Sequence, residues 1–431
     1  MHAISLHDGT TKKFDGEGQD QAPRFFLDVT DLVAFASSNT TPTGIQRVQI
    51  ELLRAFASIP QTTVFSLGDS RWADLTAFVQ DHCSSSPDLF LQSLNAHFGK
   101  AKSKATKGRL LRHFGRFWFR LFPPAVRPCD VVFVPGCFWA NRALVTFLKH
   151  SARHGARVVL TVYDLVAVDH PQWAVPDLPP RFVDALQRIF RHPVEAICIS
   201  AFTASRLQDV IAGRPGLVSP RASIVPLAHE FPGAARNQGA GRPPPTARLL
   251  GLDDDFVLCV GTIEPRKNHQ ALVHTWREAA SSRGWPRLVV AGKIGWNVDA
   301  FAADLRQEQG GAGVTFLEAP SEAELLWLYA ACSATIYPSL YEGWGLPVGE
   351  SLWFGKPALC ANDSALPEVG GSLCAYFDPL RPGALTAALD KFLNYEALQE
   401  RRLAIRAAPL RLWSDVSRDL RDVLERTGTA T

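Results

Sequence analysis

The chain has 431 residues, of which 46% are hydrophobic, 20% charged and 10% aromatic; this composition is typical of a globular protein and excludes a fibrous or largely disordered one. Its length is too great for one ordinary hydrophobic core and predicts two domains or more. The net charge of +3 is small for this length, so the protein does not bind polyanions over its whole surface and any basic surface is local.

The termini and the cysteines indicate the compartment. Residues 1–23 are polar and are predicted to be a flexible leader without the apolar core of a signal peptide. No window approaches the about 18 apolar residues that a membrane-spanning helix needs. The eight cysteines form no C-x-x-C pair, and several lie in apolar runs such as "AICIS". We therefore expect reduced, buried thiols in a cytosolic protein.

Apolar runs alternate with helical patterns over residues 24–230 and predict a first doubly wound α/β domain. The strand candidates are, in chain order, "RFFLDVT", "TTVFSL", "DVVFVPG", "ARVVLTVYDL", "VEAICIS" and "ASIVPLA". After the first of them, "TGIQRVQIELLRAFA" has apolar residues at helical spacing, with Thr43 as the expected N-cap and Gly44 opening the helix.

Residues 231–250 are rich in Pro, Gly and Ala and are predicted to be a linker. The alternation restarts in residues 251–410 with "DFVLCVG", "PRLVVAGK", "VTFLEA", "ATIYPS", "KPALCA" and "CAYFDP", which are strands of a second parallel sheet. One long helix is expected over residues 382–408. A last amphipathic helix in residues 411–431 is expected to pack back toward the first domain. Two such domains enclose a cleft, where ligands commonly bind.

The segment "YPSLYEGWGLPVGES" places Glu342 and Glu350 around a loop that follows a buried strand. This is the end of a parallel strand at which ligands bind in open α/β sheets. Gly343 and Gly345 allow a close approach of the backbone, and the helix start after Pro347 suits a phosphate. The glutamates would accept hydrogen bonds from sugar or ribose hydroxyls. The alternative is a purely structural loop with a glutamate near a helix start.

A second motif, "VGTIEPRKN", places Arg266 and Lys267 between a buried strand and a helix. A compact ammonium and a planar guanidinium beside a helix start suit a diphosphate. The alternative is a solvated basic pair in a surface loop.

Residues 100–127, "KAKSKATKGRLLRHFGRFWFRLFPPAVR", contain nine Lys or Arg among aromatic residues and no acidic residue. Such a basic amphipathic segment suits an anionic membrane surface. A solvated basic helix is the alternative. Nucleic acid binding is disfavoured by the near-neutral total charge.

These motifs resemble family-four glycosyltransferases, retaining enzymes of the GT-B fold with two facing Rossmann-like domains. "YPSLYEGWGLPVGESLWFGKPALCANDSALPEVGG" is similar to the C-terminal-domain signature of that family, and "VGTIEPRKN" to a variant of its phosphate loop. "TPTGIQRVQIELLRA" is similar to the N-terminal glycine loop of a bacterial polysaccharide subgroup. The resemblance runs from about Phe25 to the C-terminus and is most specific in the second domain.

The resemblance implies a role for each matching residue. Glu342 would bind hydroxyls of the donor hexose, and Glu350 the ribose of the nucleotide. Lys267 would neutralise the diphosphate as it leaves, with Arg266 beside it. The remaining donor-binding residues are expected to be Gly44, Gly261, Thr262, Gly343, Trp344, Gly345 and Leu346.

The chain departs from the family at two positions. Thr262 replaces an arginine that many relatives have, and Arg266 is the expected substitute for its charge. Tyr163 stands where relatives often have a histidine; it would either bind a sugar or only pack. Asp164 is therefore the expected residue to orient or deprotonate the acceptor hydroxyl. Trp139 is a weaker candidate for the acceptor side, while Glu264 and Glu368 are expected to be structural.

The resemblance implies a retaining hexosyltransferase without an essential metal, which agrees with the lack of a D-x-D site in any obvious strand-end loop. The donor is a nucleotide sugar, GDP-mannose as the first expectation, and the acceptor a glycan or a polyprenyl-diphosphate-linked glycan of bacterial surface polysaccharide. The protein is expected in the cytoplasm, at the inner face of the plasma membrane. The alternatives are an epimerase or phosphorylase of this fold, or an inactive scaffold that binds nucleotide sugars.

Overall fold

A computed structural model describes residues 22–39, 41–56, 59, 61–68, 71–105, 126–252, 255–307 and 313–426. Most of the predicted leader and of the basic segment 100–127 therefore lies outside the described residues. In the described part, none of the helices is both long and apolar enough to cross a bilayer.

Two sheets, one in each half of the chain, organise the fold. In the described residues the first sheet has seven strands: β1 (Phe25–Asp28), β2 (Thr62–Gly68), β3 (Arg71–Asp74), β4 (Val131–Val134), β5 (Arg157–Val162), β6 (Glu195–Cys198) and β7 (Arg221–Ile224). Their order is β3-β2-β1-β4-β5-β6-β7. Only the β2–β3 pair of this sheet is antiparallel.

Helices cover both faces of this sheet. They are α1 (Thr30–Ala36), α2 (Gly44–Phe56), α3 (Thr76–His82), α4 (Pro87–Ala105), α5 (Arg142–Arg153), α6 (Val166–Asp169), α7 (Leu178–Ile189) and α8 (Ala201–Ala212), with a 3₁₀ turn at Pro171–Trp173. Alternate residues of β4 enter different cores: Val131 and Phe133 pack on one face, and Val132 and Val134 on the other. A strand buried on both faces explains why its sequence is continuously apolar.

The second sheet has six parallel strands among the described residues: β8 (Phe256–Val260), β9 (Arg287–Gly292), β10 (Val314–Glu318), β11 (Ala334–Tyr337), β12 (Ala358–Ala361) and β13 (Ala375–Phe377). Their order is β10-β9-β8-β11-β12-β13. The chain therefore leaves β8 in one direction and returns to β11 on its other side. The two doubly wound domains confirm the predicted fold class.

The remaining helices surround the second sheet. They are α9 (Pro245–Leu249), α10 (His269–Arg283), α11 (Asp299–Gln307), α12 (Glu322–Ala331), α13 (Leu346–Trp353), α14 (Leu366–Gly370), α15 (Ala384–Phe392), α16 (Tyr395–Ala407) and α17 (Trp413–Arg426), with 3₁₀ turns at Pro265–Lys267 and Gly371–Leu373. Helix α17 packs on α2 of the first domain, where Arg421 donates a 2.7 Å hydrogen bond to the carbonyl of Ala55.

The structure corrects two details of the sequence analysis. The single helix expected over residues 382–408 is two helices, because the side chain of Asn394 caps the second one through the backbone N–H groups of Glu396 and Ala397. All eight cysteines are free, and five are buried as expected; Cys129, however, is exposed.

Candidate donor site between the two domains

The candidate site lies where the strand order of the second sheet reverses. Strands β8 and β11 are neighbours, although α10, β9, α11, β10 and α12 separate them along the chain. The loops that leave their carboxyl ends, residues 261–268 and 338–345, therefore flank one crevice. Ligands bind at such a switch point in open α/β sheets.

Glycines shape the loop that follows β11. Gly345 has a φ of +103° and precedes α13, and a Cβ atom added there would lie 2.7 Å from Cδ2 of Leu366. A Cβ atom on Gly343 would lie 1.9 Å from the carbonyl oxygen of Tyr163 in the first domain. The backbones of the two domains thus approach each other closely at Gly343, and only glycine leaves room for this contact.

Glu342 is buried between the two predicted cations. Its Oε1 lies 2.5 Å from Nζ of Lys267, and its Oε2 lies 2.8 Å from Nη1 of Arg266. Burial opposes ionisation of this carboxyl, but the charges of Lys267 and Arg266 outweigh it and lower the pKa to about 2. Glu342 is therefore an ionised, fixed acceptor at the end of β11.

Arg266 contacts three acceptors of the protein itself. Besides Glu342, Nη1 donates to the carbonyl of Tyr341 at 2.9 Å, and Nη2 pairs with Glu264 at 2.7 Å. Burial alone would lower the pKa of Arg266, and the carboxylates around it raise it instead. Its guanidinium therefore fixes Glu342 and the loop after β11. Lys267 has a flexible ammonium group with three N–H donors. Among the described residues, this group makes one contact, with the same carboxylate.

Glu350, the predicted ribose ligand, already has protein partners on both oxygens. Arg47 of α2 donates to Oε1 at 2.7 Å, and the hydroxyl of Tyr329 donates to Oε2 at 2.8 Å. Sequence reasoning missed both partners. A signal for Arg47 was present, because it lies one turn beyond Gly44 in a helix whose other central positions are mostly buried.

The other predicted donor-binding residues converge on the same place. Gly44 and Leu346 belong to different domains, yet a Cβ atom on Gly44 would lie 3.5 Å from Cδ1 of Leu346. Gly261 and Thr262 follow β8 directly, and a Cβ atom on Gly261 would lie 3.9 Å from Cδ of Lys267. Trp344 is buried, and its indole N–H has no acceptor among the described residues. A buried N–H without a partner is uncommon in folded proteins.

The first domain contributes Asp164, directly after β5. Its Oδ1 accepts a 3.1 Å hydrogen bond from the backbone N–H of Val166. Burial raises its pKa, and Arg266 opposes that shift. The Cβ atom of Asp164 would lie 3.1 Å from a Cβ atom on Gly343, so this carboxyl faces the loop that carries Glu342.

The side chains of Tyr163 and Trp139 pack within the first domain. The Tyr163 side chain is buried, and its hydroxyl donates to the carbonyl of Pro135 at 2.5 Å. Its backbone carbonyl, not its ring, faces Gly343. Trp139 packs edge-on against Phe138 and Phe182, with centroid distances of 4.9 and 4.7 Å.

Glu368, expected to be structural, joins the domains. Its carboxylate accepts hydrogen bonds from the backbone N–H groups of Ala201 and Phe202 at 2.6 and 2.7 Å, at the start of α8. A carboxylate at this position satisfies free N–H groups and the helix dipole. The central residues 106–125 of the basic segment 100–127, for which a membrane surface was predicted, lie outside the described part of the chain.

Comparison with known proteins agrees with this architecture. Residues 247–409 match the family described as "Glycosyl transferases group 1". The chain is 28% identical over 261 residues to the serotype-specific mannosyltransferase WbdA of Escherichia coli. This alignment covers 58% of this chain and 31% of WbdA. It is 31% identical over 147 residues to the O-antigen chain mannosyltransferase B of Escherichia coli, covering 34% and 38% of the two chains. The chain thus spans about a third of the length of these curated relatives.

Among solved structures, the crystal structure of HepE from Anabaena in complex with UDP and glucose is similar over 94% of this chain and 99% of that one, with a TM-score of 0.57 and 13% identity. At this identity the likeness concerns the fold. The protein therefore has the GT-B fold, and residues 247–409, which span its second domain, match the glycosyl transferases group 1 family.

Proposed function

We propose that the protein transfers a hexosyl unit from a nucleotide sugar to a lipid-linked or growing glycan of bacterial surface polysaccharide, with retention of configuration. Mannose from GDP-mannose is the first candidate, because the curated relatives WbdA and mannosyltransferase B are mannosyltransferases. The family match of the second domain supports the same reaction class.

One observation carries this proposal. The carboxylate of Glu342 is held in place by Lys267 and Arg266 beside the start of α13, where the strand order reverses. A fixed carboxylate accepts hydrogen bonds from sugar hydroxyls, while the adjacent ammonium and helix start attract phosphate oxygens. One crevice thus carries the chemistry for both ends of a glycosyl diphosphate.

In this proposal Lys267 stabilises the leaving diphosphate. Negative charge grows there as the glycosidic bond breaks, and a positive group fixed in advance lowers the barrier. One N–H group of Lys267 donates to Glu342, and the other two donate to phosphate oxygens. Arg266 acts as a positioning residue, since its guanidinium is bonded to Glu342, Glu264 and the carbonyl of Tyr341.

The acceptor enters from the first domain, with Asp164 orienting or deprotonating its hydroxyl. A raised pKa makes this carboxyl a better base than an exposed aspartate. The close approach of Gly343 to Tyr163 excludes water near the reacting carbon and favours transfer over hydrolysis. The proposed reaction uses no essential metal, because these charged groups and the helix start take the place of a cation. The proposed site of action is the cytoplasmic face of the membrane.

A thermal-shift screen with GDP-, UDP- and dTDP-sugars tests the donor. A ligand that binds only the folded protein stabilises it by RT ln(1 + [L]/Kd), which is about 2.7 kcal/mol at about one hundred times Kd. We expect a rise in Tm with one nucleotide sugar, GDP-mannose first, and a much smaller one with Glu342→Gln. If none of these donors raises Tm, the proposed function is wrong.

A radiolabelled donor then separates the reaction types. Product that forms only with an acceptor glycan supports a transferase. Product without an acceptor indicates an epimerase, and cleavage that depends on inorganic phosphate a phosphorylase. Binding without turnover in the presence of a membrane-lipid extract indicates a scaffold.

A further inference from the structure

A polar pocket of about 270 Å³ lies beside the Pro265–Lys267 turn, outside the residue set assigned to the donor. Its lining combines residues of the loop after β8 with the start of α11. The polar side chains that line it are Glu264, Asn268, His269, Gln270, Asn297 and Asp299. The pocket thus adjoins the turn that carries Lys267 without including Glu342.

Glu264 supplies this pocket with a carboxylate that is only partly satisfied. The residue is 3% exposed, and its Oε1 pairs with Nη2 of Arg266 at 2.7 Å. Its Oε2 is buried and has no hydrogen-bond partner among the described residues. A buried carboxylate oxygen without a donor is costly, so a hydrogen bond from a ligand would stabilise this atom.

Trp296 directly precedes Asn297 of the pocket lining, and aromatic side chains of the first domain lie beside Trp296; we call these residues the aromatic edge. Trp296, next to Asn297, is 37% exposed, and its Nε1–H donates to the carbonyl of Trp173 at 2.6 Å. Trp173 stacks on His170 with a centroid distance of 4.1 Å and an interplanar angle of 20°. Asn297 reaches the first domain as well, through a 3.3 Å hydrogen bond to the carbonyl of Ala174. The edge is therefore complete only when the two domains are together.

We propose that this pocket and its aromatic edge form a saccharide subsite that holds a sugar unit of the acceptor glycan beyond the reacting one. The inference rests on the proposed glycosyl transfer. A sugar offers hydroxyl donors to carboxylate and amide oxygens and an apolar ring face to an indole; the pocket presents such oxygens, and the neighbouring Trp296 presents the indole. Phosphate is a poor occupant, because Glu264 and Asp299 would repel it.

The subsite is linked to the reacting centre through one side chain. Arg266 binds Glu264 with Nη2 and Glu342 with Nη1. Only the guanidinium of Arg266 therefore separates a sugar bound at Glu264 from Glu342, the carboxylate proposed to hold the donor hexose. Binding energy gained at such a remote sugar unit improves transfer to longer acceptors.

The test compares acceptor lengths. Isothermal titration of the full chain with mannobiose, mannotriose and maltotriose, in the presence of the nucleotide that raises Tm, measures saccharide affinity. We expect a trisaccharide to bind the wild type more tightly than the disaccharide. Trp296→Ala should weaken trisaccharide binding by about five- to tenfold, a typical loss for an aromatic contact. Trp296→Phe keeps an aromatic face and should recover part of it.

Tyr395→Ala is the matched control, because it also removes an exposed aromatic side chain, 73% exposed, at the start of α16. It should bind every saccharide as the wild type does. A nucleotide-induced Tm shift in Trp296→Ala shows that this variant is folded. Equal trisaccharide affinity in Trp296→Ala and wild type, or no binding of either trisaccharide to wild type, overturns the subsite. Absence of any nucleotide-induced shift in the wild type instead overturns the proposed function.

Discussion

Arg47 in the first domain donates a 2.7 Å hydrogen bond to Oε1 of Glu350 in the second, across 303 positions of sequence. The two side chains are 12% and 5% exposed. The guanidinium of Arg47 also lies over the ring of Phe231, 4.6 Å from its centroid. Glu350 is the residue that the family resemblance assigns to the ribose. One carboxylate therefore serves both contact between the domains and, in our proposal, nucleotide binding.

Replacing Arg47 with alanine should destabilise the protein. The change leaves Glu350 buried with only Tyr329 as partner, and breaking a buried pair from one side costs about 3–5 kcal/mol. The free energy of unfolding in urea measures this loss. The double variant Arg47→Ala/Glu350→Ala should lose less than the sum of the single changes, because no buried charge remains.

Arg181→Ala is the control for this measurement. It breaks the Arg181–Asp177 pair, whose side chains are 51% and 70% exposed, and should cost at most about 1 kcal/mol. If Arg47→Ala is no more destabilising than Arg181→Ala, the pair between the domains contributes nothing to stability.

Lys267→Ala should lower kcat by about 10²–10³, the usual loss when one preorganised group at a developing charge is removed. The assay is transfer from the donor identified by thermal shift, with circular dichroism as the check of folding. Lys391→Ala removes an exposed lysine of α15 and should be fully active. A Lys267→Ala enzyme with wild-type kcat would exclude this residue from leaving-group stabilisation.

Gly343→Ala should abolish transfer through sterics alone. The new Cβ atom would overlap the carbonyl oxygen of Tyr163, 1.9 Å away, so the loop and the first domain must separate. Gly239→Ala is the matched control, since nothing lies within 4 Å of a Cβ atom there. Small-angle scattering should show a larger radius of gyration for Gly343→Ala only. Unchanged scattering and activity in that variant would contradict the close contact.

Because burial raises the pKa of Asp28, we expect the stability of the protein to depend on pH. Asp28 is 1% exposed, and burial raises its pKa from 3.8 to about 7, despite hydrogen bonds from the backbone and hydroxyl of Thr30. The folded state therefore binds more protons than the unfolded state between these values, and its stability falls as pH rises through that window. At about 1.4 kcal/mol per pKa unit, the loss amounts to a few kcal/mol.

Asp28→Asn should remove this loss, because asparagine keeps an acceptor for Thr30 without titrating. Urea unfolding at about pH 4 and about pH 8 should show stabilisation of the variant only at the higher pH. Asp184→Asn changes an exposed aspartate of α7 in the same way and is the control. Equal stabilisation at both pH values would mean that Asp28 is ionised in the folded protein.

Much of the fold could be predicted from local pattern. Apolar runs such as "VVFV" and "FVLCV" are strands buried on both faces, and their alternation with helices determines two parallel sheets. The break at Asn394 was missed because apolar residues keep helical spacing on both sides of it, while the cap depends on one side-chain rotamer.

The sequence by itself determined which residues are candidates for the site, since glycines, glutamates and adjacent cations follow two strands at recognisable spacing. Only the tertiary structure decided their partners. Glu342 binds Lys267 and Arg266, Glu350 binds Arg47, and Gly343 contacts Tyr163, because strand order and domain packing bring together residues that are distant in sequence. The periodicity of apolar residues in the sequence predicts which residues share a face of one helix or strand. Ion pairs between the domains depend instead on strand order and on how the two sheets are oriented relative to each other.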